Sequence, residues 1–227
     1  AFRAPTVEEL FSSAFHAGTG AFEYGNADLD AERSLGLDAV LRLHSGRVSG
    51  QLAAYRNRIA DYIYPSAVGD TVVGGATLPV VTYTQSDAVL RGVEGTLEVA
   101  LSEALVAGLG GDLIQAERAG GLPLPFIPPA RVNAELRWDD GRWRLGAGLR
   151  HAFARTRVSE DDETPTDAYT LIELDAALRL PIRGALHAIT LGVDNLTDTL
   201  HRDATSRIKD FAPNPGRNVK LGYRVTW

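Results

Sequence analysis

The chain contains 227 residues, which is enough for one large domain or two small ones. It has no cysteine, which excludes disulfides, thiolate metal sites and cysteine nucleophiles. The net charge of −6 and the isoelectric point of about 5.4 argue against a general nucleic-acid-binding protein. No apolar run reaches the length of about 18 residues that a transmembrane helix needs, so the sequence predicts none.

Apolar and polar residues alternate along the chain with a period of two, which is typical of β-strands with two different faces. In one example Leu174, Ala176 and Leu178 interleave with Glu173 and Asp175. The alternation is clear in residues 35–44, 93–101, 130–138, 170–180 and 218–227. Further strands are expected near residues 47–63, 105–118, 142–158 and 186–195, which gives about nine strands in all.

Short turns and long connections follow one another between these strands. Short turns are predicted at residues 45–46, 102–104, 139–141 and 181–184. Longer segments rich in Gly, Pro, Asp, Thr and Ser occupy residues 3–29, 64–80, 119–128, 159–167 and 196–215. This arrangement indicates an antiparallel transmembrane β-barrel with short periplasmic turns and long extracellular loops. The acidic segment 159–167 is interpreted as a solvated surface loop.

A soluble β-sandwich is the main alternative fold, because its strands alternate in the same way. Three features favour the barrel. The strands are longer than the usual five or six residues of a sandwich. The polar face carries Asp, Glu and Arg along several strands, as a wet lumen would, and the last strand ends on the aromatic Trp227.

Five segments, taken in order, resemble the TonB-dependent outer-membrane receptors. They are FRAPT-x-x-E-L-F at 2–11, GN-x-x-L-x-x-E-x-S at 25–34, G-V-E at 92–94, V-x-N-L-x-D at 193–198 and PGR at 215–217. We expect most of these residues to build the barrel rather than to contact a ligand, because scaffold residues outnumber site residues.

The resemblance implies a 22-stranded barrel, of which residues 1–227 would supply about the last nine strands. It also implies a Gram-negative outer-membrane location, contact with lipid and a plug domain, absent from this chain, through which the TonB complex acts. The chain lacks an initiator Met and a signal peptide, so we expect a fragment of a longer protein. In this family the barrel-assembly machinery reads the terminal strand, which here places its signal at Tyr223, Val225 and Trp227.

The segment 12–26 resembles a loop of the zinc-receptor branch of the family, with the pattern H-x-A-T-x-x-F/Y-E-x-G-N/D. His16 and Glu23 fall on its histidine and glutamate, and imidazole and carboxylate suit zinc. The segment 201–210 resembles a second loop of that branch and makes His201 and Asp203 weaker candidates. There Ala204 occupies the position of the family's histidine, which puts a zinc role for this loop in doubt.

Enzymatic motifs such as G-x-S-x-G, H-E-x-x-H or a glycine-rich phosphate loop are absent, so no enzymatic function and no cofactor are expected. The predicted function is TonB-dependent uptake of a scarce metal ion or metal chelate, with zinc as the candidate cargo. An iron-siderophore or cobalamin receptor, a passive or structural barrel and a soluble binding module remain as alternatives.

Overall fold

A computed structural model describes residues 1–159 and 163–227 of the chain. Most of it is one sheet of 13 strands, joined by loops and by a single five-residue α-helix, α1. No helix in this described part is long and apolar enough to cross a membrane. In chain order the elements are β1 (Phe2–Arg3), α1 (Val7–Phe11), β2 (Ser13–His16), β3 (Ala21–Tyr24), β4 (Glu32–Ser45), β5 (Val48–Val73), β6 (Ala76–Ala100), β7 (Leu105–Arg118), a 3-10 turn (Ala119–Gly121), β8 (Leu122–Pro123), β9 (Arg131–Asp139), β10 (Trp143–Ala152), β11 (Tyr169–Ile182), β12 (Ala185–Asp194) and β13 (Asn218–Thr226).

The long strands follow one another as antiparallel neighbours in the order β4-β5-β6-β7-β9-β10-β11-β12-β13, with β1 beside β4. These are nine long strands in the described residues, and each lies where the alternating pattern predicts one. The expected strand 105–118 coincides with β7. Among the described strands one pairing is parallel, that of β3 with β6.

The prediction of a loop at residues 64–80 was wrong. Strands β5 and β6 continue through this segment and meet in a tight turn at Gly74 and Gly75, whose φ angles are 59° and 87°. Positive φ is open to glycine without a steric cost, so the turn can be this short. Two register shifts, one between Ile59 and Tyr62 and one between Ala67 and Gly69, interrupt the pairing of these strands. We call residues 62–86 the hairpin extension.

Strand β10 is shorter than the predicted strand 142–158 and ends at Ala152. The neighbouring strand β9 begins at Arg131, which pairs with Ala152, so residues after Ala152 have no partner in β9. The chain then leaves the sheet after Phe153, whose N–H still donates to the carbonyl oxygen of Ala130. Further along, Arg155 forms an isolated bridge with Thr166.

The two faces of the sheet differ as the alternation predicts. One face exposes leucine and valine side chains, including Leu37 (72% exposed), Leu41 (69%) and Leu221 (78%). The other carries cross-strand ion pairs such as Arg131–Asp112, with 3.1 Å between Nη2 and Oδ2. An apolar outer face and a charged inner face match the wall of a transmembrane barrel.

Loops on the long-connection side fold back and bury a small core. It consists of Tyr64, Ala88, Ala116, Leu124 and Ile127, and Leu124 is 1% exposed. The segment 121–130 therefore covers strands β5, β6 and β7 at this rim of the sheet.

The interpretation of 159–167 as a solvated loop holds for only part of its described residues, because Thr164, Pro165 and Asp167 are exposed and the others are buried. Glu160, Asp161 and Asp162 lie outside the described part. Ser159, Glu163 and Thr166 are at most 9% exposed. The ammonium group of Lys209, itself buried, donates to the Thr164 carbonyl oxygen at 2.7 Å and to Thr166 Oγ1 at 3.0 Å. This distant lysine satisfies polar groups that would otherwise need water.

Candidate functional site

The first 32 residues are held against the sheet by a network around Arg3. Its guanidinium donates to Glu32 Oε1 at 2.6 Å and to Glu9 Oε2 at 2.9 Å. Glu9 belongs to a capping box with Thr6, in which each side chain accepts a hydrogen bond from the other residue's backbone N–H. Burial alone would raise the pKa of Glu9, but the hydrogen bonds from Arg3 and Thr6 outweigh burial and lower it below its usual 4.5.

Helix α1 leads directly into the hairpin of β2 and β3, in which His16 pairs with Ala21. The hairpin returns beside the helix so closely that a Cβ on Gly25 would lie 2.6 Å from the Leu10 carbonyl oxygen. Strand β3 then pairs with the hairpin extension, with Glu23 opposite Val81. The glycine and the parallel pairing together fix where this hairpin stands on the rim of the sheet.

The structure brings His16 and Glu23 together, as their shared resemblance to the zinc-receptor loop implies. His16 Nδ1 lies 3.6 Å from Glu23 Oε1. The hydroxyl of Thr19 donates to Glu23 Oε1 at 2.8 Å, and the hydroxyl of Tyr83 donates to Glu23 Oε2 at 3.1 Å. The His16 side chain is 64% exposed and the Glu23 side chain 8%. The pair thus joins an accessible imidazole to a buried, hydrogen-bonded carboxylate.

The spacing of this pair suits two ligands of one metal ion. Two ligand atoms of a tetrahedral zinc, at about 2.0–2.1 Å each, lie about 3.3 Å apart. The observed 3.6 Å between His16 Nδ1 and Glu23 Oε1 is close to that value. The described residues contain no group of three His, Cys, Asp or Glu side chains arranged around a common point. Within them the pair offers two candidate ligands, whereas a tetrahedral zinc site needs four.

The second candidate pair serves local structure. The ring of His201 packs on Tyr169 with 4.8 Å between centroids, and its Nδ1 lies 3.2 Å from the Thr199 carbonyl oxygen. Asp203 Oδ1 accepts hydrogen bonds from both the backbone N–H and the hydroxyl of Thr205, at 3.0 and 2.9 Å. These contacts build a turn, and they leave the metal role of His201 and Asp203 as a prediction.

The loops that carry the two candidate pairs approach each other. Gly20, at the tip of the β2–β3 hairpin, has a φ of 67°, and a Cβ added there would lie 3.4 Å from Phe211 Cζ. Phe211 belongs to the connection between β12 and β13. The hairpin therefore stands beside the last long loop at the same rim.

The motif that precedes the last strand is structural, as expected. Asn195, with a φ of 49°, accepts a hydrogen bond from the Thr199 N–H and donates to the Thr199 carbonyl oxygen, both at 2.9 Å. Asp198 Oδ1 accepts from the Arg217 N–H at 2.7 Å, and a Cβ on Gly216 would come within 2.6 Å of the same oxygen. These bonds close the long loop at the point where β13 begins.

The three residues of the expected assembly signal lie on one face of the last strand. Tyr223 is opposite Ile189 and Val225 is opposite His187, which places them on the apolar face, and Trp227 follows at the next alternate position. Trp227 is 95% exposed. This placement is compatible with the predicted signal and does not test it.

Sequence reasoning missed Tyr83. It lies between the predicted loop 64–80 and the predicted strand 93–101, in a stretch to which no element was assigned, 60 positions from Glu23. Its phenol supplies the hydrogen bond that orients Glu23 Oε2, while its carbonyl oxygen accepts from the Asn26 side chain at 3.1 Å. A strand assignment that extended back from 93–101 through residue 83 would have been needed to find it.

An antiparallel sheet of long strands, apolar outside and charged inside, with short turns at one rim and packed loops at the other, defines a β-barrel wall. A family model described as "TonB dependent receptor-like, beta-barrel" matches residues 1–196. The chain therefore belongs to the TonB-dependent receptor β-barrel family. Receptors of this family are transporters and not enzymes, in agreement with the non-enzymatic function predicted above.

Individual relatives differ in the roles that their names state. The chain is 24% identical over 241 residues to heme/hemopexin utilization protein C of Haemophilus influenzae (strain 86-028NP), covering 97% of this chain and 33% of that protein. Among solved structures, the copper transporter OprC aligns with a TM-score of 0.81 at 21% identity, over 98% of this chain and 35% of OprC. The siderophore receptor PirA from Acinetobacter baumannii aligns with a TM-score of 0.67 at 16% identity, over 98% and 37%.

The chain thus spans about a third of the length of these relatives. The structural similarities, at 21% identity or less, concern the fold. They bear out the barrel architecture, and they do not single out the zinc-receptor branch.

Proposed function

We propose that this chain forms the C-terminal part of the barrel of a TonB-dependent outer-membrane receptor that imports a scarce metal ion or metal chelate, with zinc as the candidate cargo. A plug domain would couple the receptor to the TonB complex. The barrel-assembly machinery would insert the barrel through Tyr223, Val225 and Trp227. The family match supports the receptor class, and the His16–Glu23 pair supports the choice of a metal.

The chemistry of the pair narrows the cargo. The chain has no Cys and no Met, so it offers a metal no thiolate and no thioether. Imidazole and carboxylate suit zinc and other borderline divalent ions better than soft monovalent copper. The names of the relatives, which include a copper transporter and a heme utilization protein, are compatible with a metal-containing cargo in general.

The burial of Glu23 gives the pair a defined geometry before any metal arrives. Its carboxylate is held by Thr19 and Tyr83, while the exposed His16 ring is accessible to a ligand. A pre-oriented carboxylate costs less entropy on binding than two mobile side chains would. Additional ligands would have to come from outside the pair.

The decisive experiment is a zinc titration of the purified full-length receptor. We compare wild type with His16→Ala and Glu23→Ala, and use His44→Ala as the control because His44 is exposed near the turn-side rim. Loss of a ligand should weaken zinc binding by at least about tenfold in both variants and leave the control unchanged. Unchanged zinc affinity in both variants would remove the proposed site.

Energised uptake needs a separate test, because a passive barrel would also conduct ions. Zinc uptake is measured in cells that express the receptor, with and without a functional TonB. The proposal expects receptor-dependent uptake to disappear without TonB. Uptake that persists would favour the passive or structural barrel.

A further inference from the structure

Arginines collect on the outer, apolar face of the sheet, near the rim with the long loops. The register places Arg56 directly between Leu37 and Arg91, and Arg58 between Leu35 and Val89. Directly paired residues point to the same face, so Arg56, Arg58 and Arg91 face outward with the leucines. Together with Arg33, on the same face of β4, and Arg157, they form what we call the outer arginine patch, and all five are exposed.

Positive charge exceeds negative charge in this patch. Arg91 donates to Gln115 at 3.1 Å and lies 3.9 Å from Glu117, which also pairs with Arg157 at 2.7 Å. The acidic residues near the five arginines are Glu117 and, at the loop-side edge, Asp61 and Asp87. Within the described residues the guanidinium groups of Arg33, Arg56 and Arg58 have no protein partner. This surplus contrasts with the net charge of −6 for the whole chain.

The patch lies at the height where a lipid headgroup would be. Below Arg56 the outward positions of β5 are Ala54, Leu52, Gly50 and Val48. The eight steps from Val48 to Arg56, at about 3.3 Å each and tilted by about 40°, correspond to about 20 Å along the membrane normal. This is near the height of about 25 Å expected for the apolar band of such a barrel. The arginines therefore begin where hydrocarbon should give way to polar headgroups.

A groove lies beside the outer arginine patch and shares Arg58 with it. Arg58, Val89, Glu117 and Gly121 are among its lining residues, so it lies between the upper ends of β5, β6 and β7. Arginine binds phosphate through two parallel hydrogen bonds, which favours it over lysine for this purpose. At the height of the lipid headgroups, phosphate groups are the anions that would pair with exposed, unpaired arginines.

We propose that the outer arginine patch binds the phosphate groups of a phosphorylated lipid headgroup in the membrane leaflet on the loop side. This inference rests on the proposed membrane location, but it is independent of the transported cargo. Bound lipid would fix the loop-side ends of β4, β5 and β6, the strands that carry the hairpin extension and the His16–Glu23 site. The patch is thus a lipid contact and forms no part of the cargo site.

The test uses the full-length receptor, purified in detergent and stripped of lipid. Binding of diphosphorylated lipid A and of its dephosphorylated form is measured by native mass spectrometry. The patch variant combines Arg56→Gln, Arg58→Gln and Arg91→Gln. Each arginine near an anionic surface contributes about fivefold in affinity, so we expect the phosphorylated lipid to bind about a hundredfold more weakly.

A control variant removes the same charge at the opposite rim. It combines Arg47→Gln, Arg142→Gln and Arg183→Gln, three exposed arginines in the short turns. We expect it to bind the phosphorylated lipid within about twofold of wild type. An equal loss in both variants would show a generic charge effect and would overturn the proposal.

Two further outcomes would count against the proposed recognition of phosphate. Unchanged binding in the patch variant, or an equal loss for the dephosphorylated lipid, would overturn phosphate recognition. Should the patch variant fold poorly, the corresponding Arg→Lys variant keeps the charge and should bind within about tenfold of wild type. Membrane fractionation of wild type separates a failure of the proposed location from a failure of the lipid site.

Discussion

The network around Arg3 allows a quantitative test of how the first 32 residues are fixed. Glu32 is 7% exposed, and its Oε1 accepts from Arg3 at 2.6 Å and from the Ile63 N–H at 2.9 Å. Replacing Glu32 by Ala would leave that N–H without its acceptor and would remove one of the two carboxylates that accept from Arg3, since Glu9 remains. Hydrogen bonds to charged groups contribute about 1.5–3 kcal/mol each, so we expect Glu32→Ala to lower the free energy of unfolding by about 3 kcal/mol.

A double-mutant cycle with Arg3→Ala isolates the ion pair itself. The Arg3 side chain is 41% exposed, so solvent screening reduces the coupling, which we expect to be about 1–2 kcal/mol. Unfolding is followed by tryptophan fluorescence in denaturant on the full-length receptor in detergent, and hydrogen exchange of the Ile63 amide reports the local effect. The lumenal pair Arg131–Asp112 is the control, since its side chains are 44% and 30% exposed and its coupling should stay below about 0.5 kcal/mol. A coupling for Arg3–Glu32 no larger than that of the control would refute the reasoning.

Three smaller predictions concern the same loops. Gly25→Ala should lower the free energy of unfolding by about 1–3 kcal/mol, because the new methyl group meets backbone, and a lower denaturation midpoint would show it. Asp198→Ala should cost about 1 kcal/mol and accelerate hydrogen exchange at the Arg217 amide, whose acceptor is lost. Glu9 has a folded pKa below its unfolded value, so its charge stabilises the fold above about pH 4.5, and this contribution disappears as the pH falls through the lowered pKa. The stability difference between wild type and Glu9→Gln should therefore shrink in acid titrations as the pH falls below about 4.5, and a constant difference would contradict this expectation.

The strands were predictable because alternation is a local property of the sequence. Segment 170–180 shows Ile172, Leu174 and Leu178 on one face and charged residues on the other, and the structure has β11 there. The hairpin extension was not predictable in the same way. Pro65, Gly69 and Pro79 weaken the strand pattern, and the pairing across two register shifts depends on a partner strand that local reading does not supply.

Only those residues of the candidate site that lie close together in the sequence were predictable. His16, Thr19 and Glu23 lie within eight residues of one another, so a sequence pattern can hold them together. Tyr83 enters through the parallel pairing of β3 with β6, which no periodicity indicates. The environment of Glu163 is similar, since its Oε2 accepts a hydrogen bond at 3.0 Å from the N–H of Phe126, 37 positions away.

The contacts also explain why the family is easier to recognise in this chain than the cargo. The segments that resemble the receptor family make the anchoring contacts, such as Arg3 with Glu32 and Asp198 with Arg217. Glu32 is 7% exposed, so a substitute for Arg3 would leave a buried carboxylate with one partner fewer. Asp198 accepts the Arg217 N–H at the point where β13 begins, which a side chain without an acceptor could not do. His16 lies between these anchors on an exposed hairpin, and its side chain is 64% exposed. A side chain in that position can be exchanged without disturbing the fold, so the same anchored loops can present ligands for different metals or chelates.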